Sequence, residues 1–213
     1  MFDLDGVLLE SEQVWDEARH ELTIELGGRW TERAQRDMMG MSSPEWSRYM
    51  HDELGVSLPP AAISDEVVRR LERLYRKRLP LLPGAREAVE RLAARWPLAV
   101  ASSSNRPLIG LVLELAGVAN RFRAVVSSEE VARGKPAPDV YLEAARRLGV
   151  EPLRTAAIED SESGLRSAMA AGMRVIAIPN REFRPSDATL ATAAVVLDSL
   201  AELTPAVVDP DAP

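Results

Sequence analysis

The sequence contains no cysteine, and this absence excludes several kinds of chemistry at once. The chain can form no disulfide framework, offers no thiol nucleophile and cannot hold zinc through sulfur. It also has no uncharged run approaching the roughly 18 residues that a helix needs to span a bilayer. Its first residues, Met1 to Asp5, are already acidic, unlike a secretory signal. We therefore expect a soluble, cytoplasmic protein that does not associate with membranes.

Positive charge is in the minority, with 26 Lys and Arg against 33 Asp and Glu and a formal net charge of −7. Aromatic residues make up only 5% of the chain, and no predicted strand alternates them with basic residues. Nucleic-acid-binding proteins usually combine a basic surface with stacking aromatic side chains. The composition therefore argues against a nucleic-acid partner, and nothing in the sequence implies an obligate protein partner.

Two hydrophobic patterns divide the 213 residues, of which 46% are hydrophobic. Residues 10–82 repeat apolar side chains at three- and four-residue spacing, which predicts an all-helical segment. Residues 83–200 instead alternate short apolar runs with amphipathic stretches, which is typical of a parallel sheet covered by helices. The sequence therefore predicts an α/β fold with a doubly wound parallel sheet and one inserted helical segment.

Polar side chains follow the predicted strands, at the edge of the sheet where doubly wound proteins bind their ligands. Lysine is scarce, since Lys77 and Lys135 are the only two in the chain, so a lysine in a Gly-Lys-Pro turn attracts notice. We expect the following side chains to meet at this edge: Asp3, Asp5, Ser102, Ser103, Asn105, Lys135, Glu159 and Asp160.

The four acids of this group indicate a cation. Asp3 and Asp5 are two residues apart, so in an extended chain their side chains point the same way. Glu159 and Asp160 add negative charge nearby, and crowded like charges are costly without a cation. Oxygen ligands without histidine or cysteine favour a hard ion, and Mg²⁺ fits best. Carboxylates and a cation facing hydroxyl groups and a lysine suit the binding of a phosphoryl group.

Four segments of the chain resemble, in order, the four motifs of the haloacid dehalogenase (HAD) superfamily. They are FDLDGVL at 2–8, ASSS at 101–104, GKPAPD at 134–139 and IEDS at 158–161. The likeness covers essentially the whole chain and is greatest to the branch of β-phosphoglucomutase-like sugar phosphatases and phosphoglycolate phosphatases. It implies a Rossmann-like core domain, residues 1–9 and 83–213, and an inserted helical cap domain, residues 10–82.

The resemblance also implies an activity, the Mg²⁺-dependent hydrolysis of a small phosphomonoester such as a sugar phosphate. Asp3 is then the nucleophile that forms an aspartyl-phosphate, and Asp5 is the general acid and base. Mg²⁺ is expected on Asp3, on the Asp5 carbonyl oxygen and on Asp160, with Glu159 either a direct ligand or placed behind the ligands. Ser102 and Lys135 are expected to hold the phosphoryl oxygens, assisted by Ser103 or Asn105.

Two alternatives stay open beside hydrolysis. Sugar phosphomutases of the same branch carry a histidine in the first cap helix and an arginine in the cap loop. This chain has Trp15 and Ser43 at those places, which favours hydrolysis. The second alternative is a non-catalytic Mg²⁺-binding protein of the same fold, which the four intact motifs disfavour. The side chains expected in the core rather than at the substrate are Trp15, Trp30, Trp46, Met38, Met39 and Met41, although relatives place a specificity contact in the loop 39–43.

The first predicted strand is unusually short, because only Met1 and Phe2 precede the expected nucleophile. Strands typically have about 5–6 residues, and this one should be central in the sheet. From the sequence we expect that the native start lies upstream. About four further apolar residues at the N-terminus are then expected to raise the thermal midpoint.

Overall fold

Five parallel strands form the centre of the fold in a computed structural model that describes residues 1–39, 41–180 and 183–210. The strands are β1 (Leu98–Ser102), β2 (Phe122–Ser127), β3 (Ala156–Glu159), β4 (Arg174–Ala177) and β5 (Val195–Val196). β1 pairs with β2, β3 with β4 and β4 with β5, all in parallel. Phe2 forms parallel bridges to Val100 of β1 and to Ile158 of β3, so the first residues join the two halves of the sheet.

Helices precede, follow and separate these strands. They are α1 (Glu12–Glu25), α2 (Ala34–Met38), α3 (Ser43–Asp52), α4 (Pro60–Lys77), α5 (Ala85–Ala93), α6 (Arg106–Leu115), α7 (Asp139–Leu148), α8 (Glu162–Ala170), α9 (Asp187–Leu190) and α10 (Pro205–Val208). The sequence predicts seven of these helices by their apolar spacing and also a short helix after the last strand. It does not predict α2 and α9, which are too short to show a helical period. No helix in the described ranges is both long enough and apolar enough to cross a membrane.

Both faces of the sheet are covered, which explains why its strands are apolar without alternation. Leu98 and Val100 of β1 pack in one buried cluster with Phe2, while Ala99 and Ala101 pack in a second cluster on the opposite face. This division follows from the two-residue period of a strand. The α/β fold with a parallel, Rossmann-like sheet, predicted from the sequence, is confirmed.

The chain leaves the sheet and returns to it through two segments that lie side by side. Leu9 forms an antiparallel bridge with Leu81, and the Glu10 N–H donates to the carbonyl oxygen of Pro80 at 2.8 Å. The Leu82 N–H in turn donates to the carbonyl oxygen of Leu8 at 3.0 Å. Helices α1 to α4 are thus inserted between two adjoining connections. The division into core and cap domains at these positions stays a prediction.

Candidate active site

A cavity of about 590 Å³ lies between the carboxyl ends of the strands and the inserted helices. From the sheet side it is lined by Asp3, Asp5, Ser102, Ser103, Lys135 and Asp160. From the inserted segment its lining includes Glu12, Trp15, Arg19, Arg36, Met38 and Trp46. Six of the eight side chains that the sequence predicts at the edge of the sheet therefore share one cavity.

The only lysine of the sheet region stands between two carboxylates. The Lys135 Nζ donates to Asp3 Oδ1 at 2.7 Å and to Glu159 Oε1 at 2.6 Å, and all three side chains are buried. Burial alone would lower the pKa of Lys135, but the two carboxylates raise it above its ordinary value. We call Asp3, Lys135, Glu159 and Asp160 the floor cluster, because they close the sheet side of the cavity.

Glu159 is completely buried, and each of its carboxylate oxygens is already occupied. Oε1 accepts hydrogen bonds from Lys135 and from the Tyr141 hydroxyl, the latter at 2.7 Å. Oε2 accepts from the Asp160 N–H at 3.1 Å and from the Ser161 N–H and hydroxyl at 3.4 and 3.3 Å. A carboxylate with about four lone-pair sites has little capacity left after these bonds. These bonds favour a position of Glu159 behind the ligands, against Lys135, over direct contact with an ion.

Asp160 differs from Glu159 in having a buried oxygen without a partner. Carboxylate oxygens of Asp3, Glu159 and Asp160 lie within 4.8 Å of one another, and Asp160 Oδ1 accepts no hydrogen bond from the described residues. Burial raises the pKa of Asp3 to about 8 and that of Asp160 well above its usual value. An all-oxygen group whose negative charge is costly to bury fits a hard divalent cation. Asp3 and Asp160 are the members with capacity to bind it.

Two glycines allow the backbone to approach these carboxylates. A Cβ on Gly6 would lie 1.9 Å from Asp160 Oδ2, and Gly6 has a φ of +81°, which disfavours other residues. A Cβ on Gly164, in the first turn of α8, would lie 2.0 Å from both carboxylate oxygens of Glu159. Larger residues at either place would displace the acids. The Asp5-Gly6 turn is thereby brought against Asp160.

The Asp5 carboxylate points away from the other acids and joins the two sides of the cavity. Its Oδ2 accepts a hydrogen bond from the Ser104 hydroxyl at 2.6 Å, and its Oδ1 accepts one from the Trp15 indole N–H at 3.3 Å. Ser104 comes from the loop after β1, whereas Trp15 comes from α1. Asp5 is thus held by hydrogen-bond donors while remaining in the cavity, as a general acid and base requires.

The loop after β1 presents hydroxyl groups to the cavity. The Ser102 hydroxyl oxygen accepts a hydrogen bond from the Ser104 N–H at 3.0 Å, which leaves its own O–H free to donate to a ligand. Ser127, at the end of β2, fixes this loop by donating to the Ser104 carbonyl oxygen at 2.7 Å. Ser103 is half-buried and lines the cavity.

Asn105 is not among the residues that line the cavity. Its amide nitrogen instead donates to Glu129 Oε1 at 2.6 Å, just before α6 begins. The sequence placed Asn105 beside the phosphate site because it directly follows the serine run. The chain turns into α6 at this residue, however, and the turn directs its side chain toward the loop after β2.

Three side chains that contact the predicted site residues or line the cavity were not singled out from the sequence: Ser104, Tyr141 and Arg19. Ser104 was recognised in the serine run but not distinguished from its neighbours. Tyr141 follows the inward-facing pattern of α7, which indicates burial but not a hydrogen bond to a carboxylate. Arg19 gave a usable signal, because it lies four residues after Trp15 on the apolar face of α1.

The residues expected in the core at this place line the cavity as well. Trp15, Trp46 and Met38 are 6%, 1% and 0% exposed, so they pack in the interior as predicted. Each also lines the cavity from the inserted segment, where a substrate would contact it. Met39 and Met41 line it too, in the loop where the resemblance implies a specificity contact; Gly40 between them lies outside the described residues.

The chain matches known proteins along most of its length. A family model described as haloacid dehalogenase-like hydrolase matches residues 1–172. Hexitol phosphatase B of Escherichia coli (strain K12) is 35% identical over 217 residues, covering 96% of this chain and 93% of that protein. Protein CbbY of Rhodobacter capsulatus is 33% identical over 198 residues, covering 88% and 87%.

A solved structure extends the likeness to three dimensions. A variant of CbbY from Rhodobacter sphaeroides, crystallised with xylulose-1,5-bisphosphate, has a TM-score of 0.88 and 31% identity, and the match covers 98% of this chain and 97% of that one. Sequence family, curated relatives and fold thus agree with the resemblance that the four motifs carry. The chain is a hydrolase that belongs to the haloacid dehalogenase-like family.

Proposed function

We propose that this hydrolase uses Mg²⁺ to hydrolyse a small phosphomonoester, such as a sugar phosphate, through an aspartyl-phosphate on Asp3. The observation that carries the proposal is the state of the Asp3 carboxylate. Lys135 holds Oδ1 at 2.7 Å, while Oδ2 accepts no hydrogen bond from any described residue, on the floor of a cavity. One oxygen is fixed and the other is available to attack phosphorus.

The metal fits the residues that remain unsatisfied. Asp3, Asp160 and the backbone carbonyl of Asp5 are the proposed ligands, and the buried, unpartnered Oδ1 of Asp160 supports this choice. When bound, Mg²⁺ supplies positive charge that offsets the negative charge of the carboxylates and the phosphoryl oxygens. Glu159 is proposed to act from behind, by holding Lys135.

In the first step the Asp3 oxygen forms a bond to phosphorus as the bond from phosphorus to the leaving oxygen breaks. Asp5 donates its proton to that leaving oxygen. The Lys135 ammonium, buried beside Asp3, and the free O–H of Ser102 are placed to bind phosphoryl oxygens. Ser103 is a further candidate, whereas the position of Asn105 does not support a direct contact.

In the second step a water molecule attacks the phosphorus of the aspartyl-phosphate and passes a proton to Asp5. The bond from phosphorus to Asp3 breaks, inorganic phosphate forms and Asp3 is restored. Since Asp5 is hydrogen-bonded to both Trp15 and Ser104, its carboxylate has support for both proton transfers. We propose that the inserted helices act as a cap that encloses the substrate and excludes bulk water.

The names of the relatives support the substrate class. Hexitol phosphatase B and the phosphorylated carbohydrates phosphatase of Thermotoga maritima are both named for phosphorylated polyols or sugars. The latter is 30% identical over 83% of this chain. A small phosphorylated metabolite is the substrate proposed here, and the cytoplasm is the proposed location.

Release of inorganic phosphate from a panel of small phosphomonoesters tests this function, with Mg²⁺ and with a chelator. The wild type is expected to release phosphate only with Mg²⁺, and Asp3→Asn is expected to release none. Formation of a sugar-phosphate isomer without phosphate release would instead identify a mutase. No turnover of either kind by a folded, Mg²⁺-binding protein would favour the non-catalytic alternative.

A further inference from the structure

A buried arginine stands on the cap side of the cavity, opposite the floor cluster. Arg19 belongs to α1, is only 6% exposed and lines the cavity that also contains Asp3 and Lys135. Its guanidinium carbon lies over two indole rings, 4.5 Å from the centroid of Trp15 and 4.9 Å from that of Trp46. We call Trp15, Arg19 and Trp46 the roof cluster. The two indoles restrict the guanidinium to one place.

The guanidinium of Arg19 forms no ion pair with a carboxylate of the described residues. It makes no hydrogen bond to these residues either, and its Nε is buried without a partner. The negative charges of Glu12, Asp5 and Asp16 favour the charged form of Arg19, but none of these carboxylates forms a hydrogen bond or ion pair with it. Glu12 accepts from Gln35 at 2.8 Å, and Asp5 accepts from Ser104 and Trp15. Burial lowers the pKa of Arg19 to about 10, so the side chain remains charged at neutral pH.

A buried, unpaired charge is costly, and proteins normally pair it or expose it. The attraction of two aromatic rings offsets part of this cost but satisfies none of the N–H donors. The guanidinium makes no hydrogen bond to any described residue, and Arg19 lines the cavity. An occupant of the cavity that offers oxygens to these N–H donors would supply the missing partner.

We propose that Arg19 determines specificity by binding an anionic oxygen group of the substrate, located on the leaving group at the end remote from the transferred phosphoryl. The guanidinium fork matches the paired oxygens of a carboxylate or of a second phosphoryl group. A neutral hydroxyl would fill the same space but leave the buried charge uncompensated. Apolar neighbours such as Met38 and Trp46 strengthen the pair by excluding water.

This inference rests on the proposed function, because it assumes that the phosphoryl group binds at the floor cluster. Two sources could supply the anionic group, a carboxylate or a second phosphate. Three compounds with the same six-carbon chain separate them: sorbitol 6-phosphate ends in a neutral hydroxymethyl group, 6-phosphogluconate in a carboxylate and sorbitol 1,6-bisphosphate in a second phosphate.

The decisive measurement is kcat/KM for each of the three compounds, in the wild type and in Arg19→Met. We expect the wild type to prefer at least one anionic compound over sorbitol 6-phosphate by about 10- to 100-fold, as for a charged hydrogen-bonded pair. Arg19→Met keeps the length of the side chain and removes its charge, so it is expected to bring this ratio close to one. Arg76→Met, an exposed change on α4, is the matched control and is expected to leave the ratio intact.

A wild type that prefers sorbitol 6-phosphate, or an Arg19→Met variant that keeps the anionic preference, would overturn the inference. If Arg19→Met fails to fold, Arg19→Lys provides the second test. It retains the charge but not the fork, and a several-fold smaller ratio is expected.

A binding measurement separates this inference from the proposed function. Titration calorimetry with 6-phosphogluconate, the bisphosphate and sorbitol 6-phosphate on Asp3→Asn protein reports affinity without turnover. Tighter binding of an anionic compound, lost in Asp3→Asn/Arg19→Met, supports Arg19 even if no compound releases phosphate from the wild type. Equal affinity for all three compounds would contradict it, even if phosphate release establishes the phosphatase.

Discussion

The two sides of the cavity both contain a buried cationic side chain, but the groups that contact the cation differ. In the floor cluster the Lys135 ammonium contacts two carboxylates, and Glu159 behind it is bonded on both oxygens. In the roof cluster the Arg19 guanidinium contacts two aromatic rings and no described acid. In the floor cluster the cation is paired with carboxylates before a substrate binds. In the roof cluster the cation gains an anionic partner only when a ligand binds.

This difference corresponds to two tasks. Chemistry at phosphorus requires groups that do not rearrange during the reaction, and a network with its hydrogen bonds already made provides them. Selection among substrates requires a group whose energy depends strongly on what binds, and an unpaired buried charge has that property. Trp15 links the tasks physically, since it packs against Arg19 and also donates a hydrogen bond to Asp5.

Removing the cation of the floor cluster is expected to have the largest effect on stability. Lys135→Met leaves the carboxylates of Asp3 and Glu159 buried without their shared partner, and breaking such a pair costs about 3–5 kcal/mol. Urea unfolding with a chelator present measures the loss. Lys77→Met, an exposed change in α4, is the control and is expected to shift the free energy of unfolding by less than about 0.5 kcal/mol. A similar small shift for Lys135→Met would show that the network is not stabilising.

A smaller loss is expected when one hydrogen bond to Glu159 is removed. Tyr141→Phe deletes the buried hydroxyl that donates to Oε1, and a hydrogen bond to a charged group is worth about 1.5–3 kcal/mol. Tyr49→Phe is a matched control, because its hydroxyl donates to Asp37 at the surface, where about 0.5 kcal/mol is expected. Equal losses in the two variants, measured by urea unfolding, would contradict the role of burial.

The close approach of the Gly164 backbone to Glu159 can be tested by adding one methyl group at residue 164. Gly164→Ala places a Cβ about 2.0 Å from the Glu159 carboxylate, so we expect a destabilisation of about 1–3 kcal/mol from overpacking and a lower kcat. Gly110→Ala, within α6, meets no atom within 4 Å and is expected to stabilise by about 0.5–1 kcal/mol. Thermal unfolding of both variants measures these changes in stability. A Gly164→Ala variant that is more stable than the wild type would contradict the close approach of Gly164 to Glu159.

The sequence predicts the floor cluster far better than the roof cluster. Residues such as Asp3 and Lys135 follow strands whose ends must meet at one edge of the sheet, so topology alone brings them together. The bonds that Glu159 makes to Tyr141 and Ser161 depend on side-chain directions that spacing does not determine. Asn105 shows the same limit. It follows the serine run directly, but the chain turns into α6 there and its side chain contacts Glu129 instead of the cavity.

The roof cluster combines side chains of α1 and α3, two helices of the inserted segment. The periodicity of α1 identifies its buried face, and Arg19 falls on that face, but the pattern does not say what surrounds it. The contact with Trp46 depends on how the inserted helices pack, for which a single sequence carries no direct signal. The tryptophans were accordingly predicted as core residues, which describes their burial and omits their contact with the cavity.

The free energy of unfolding of ligand-free Arg19→Met is the most direct test of the comparison between floor and roof. Replacing an unpaired buried charge by an apolar side chain of similar length removes a desolvation cost that exceeds the lost cation–π attraction. We therefore expect Arg19→Met to be more stable than the wild type by about 1 kcal/mol, opposite in sign to Lys135→Met. A loss of stability comparable to that of Lys135→Met would show that the guanidinium is already satisfied, and would contradict this account of the cavity.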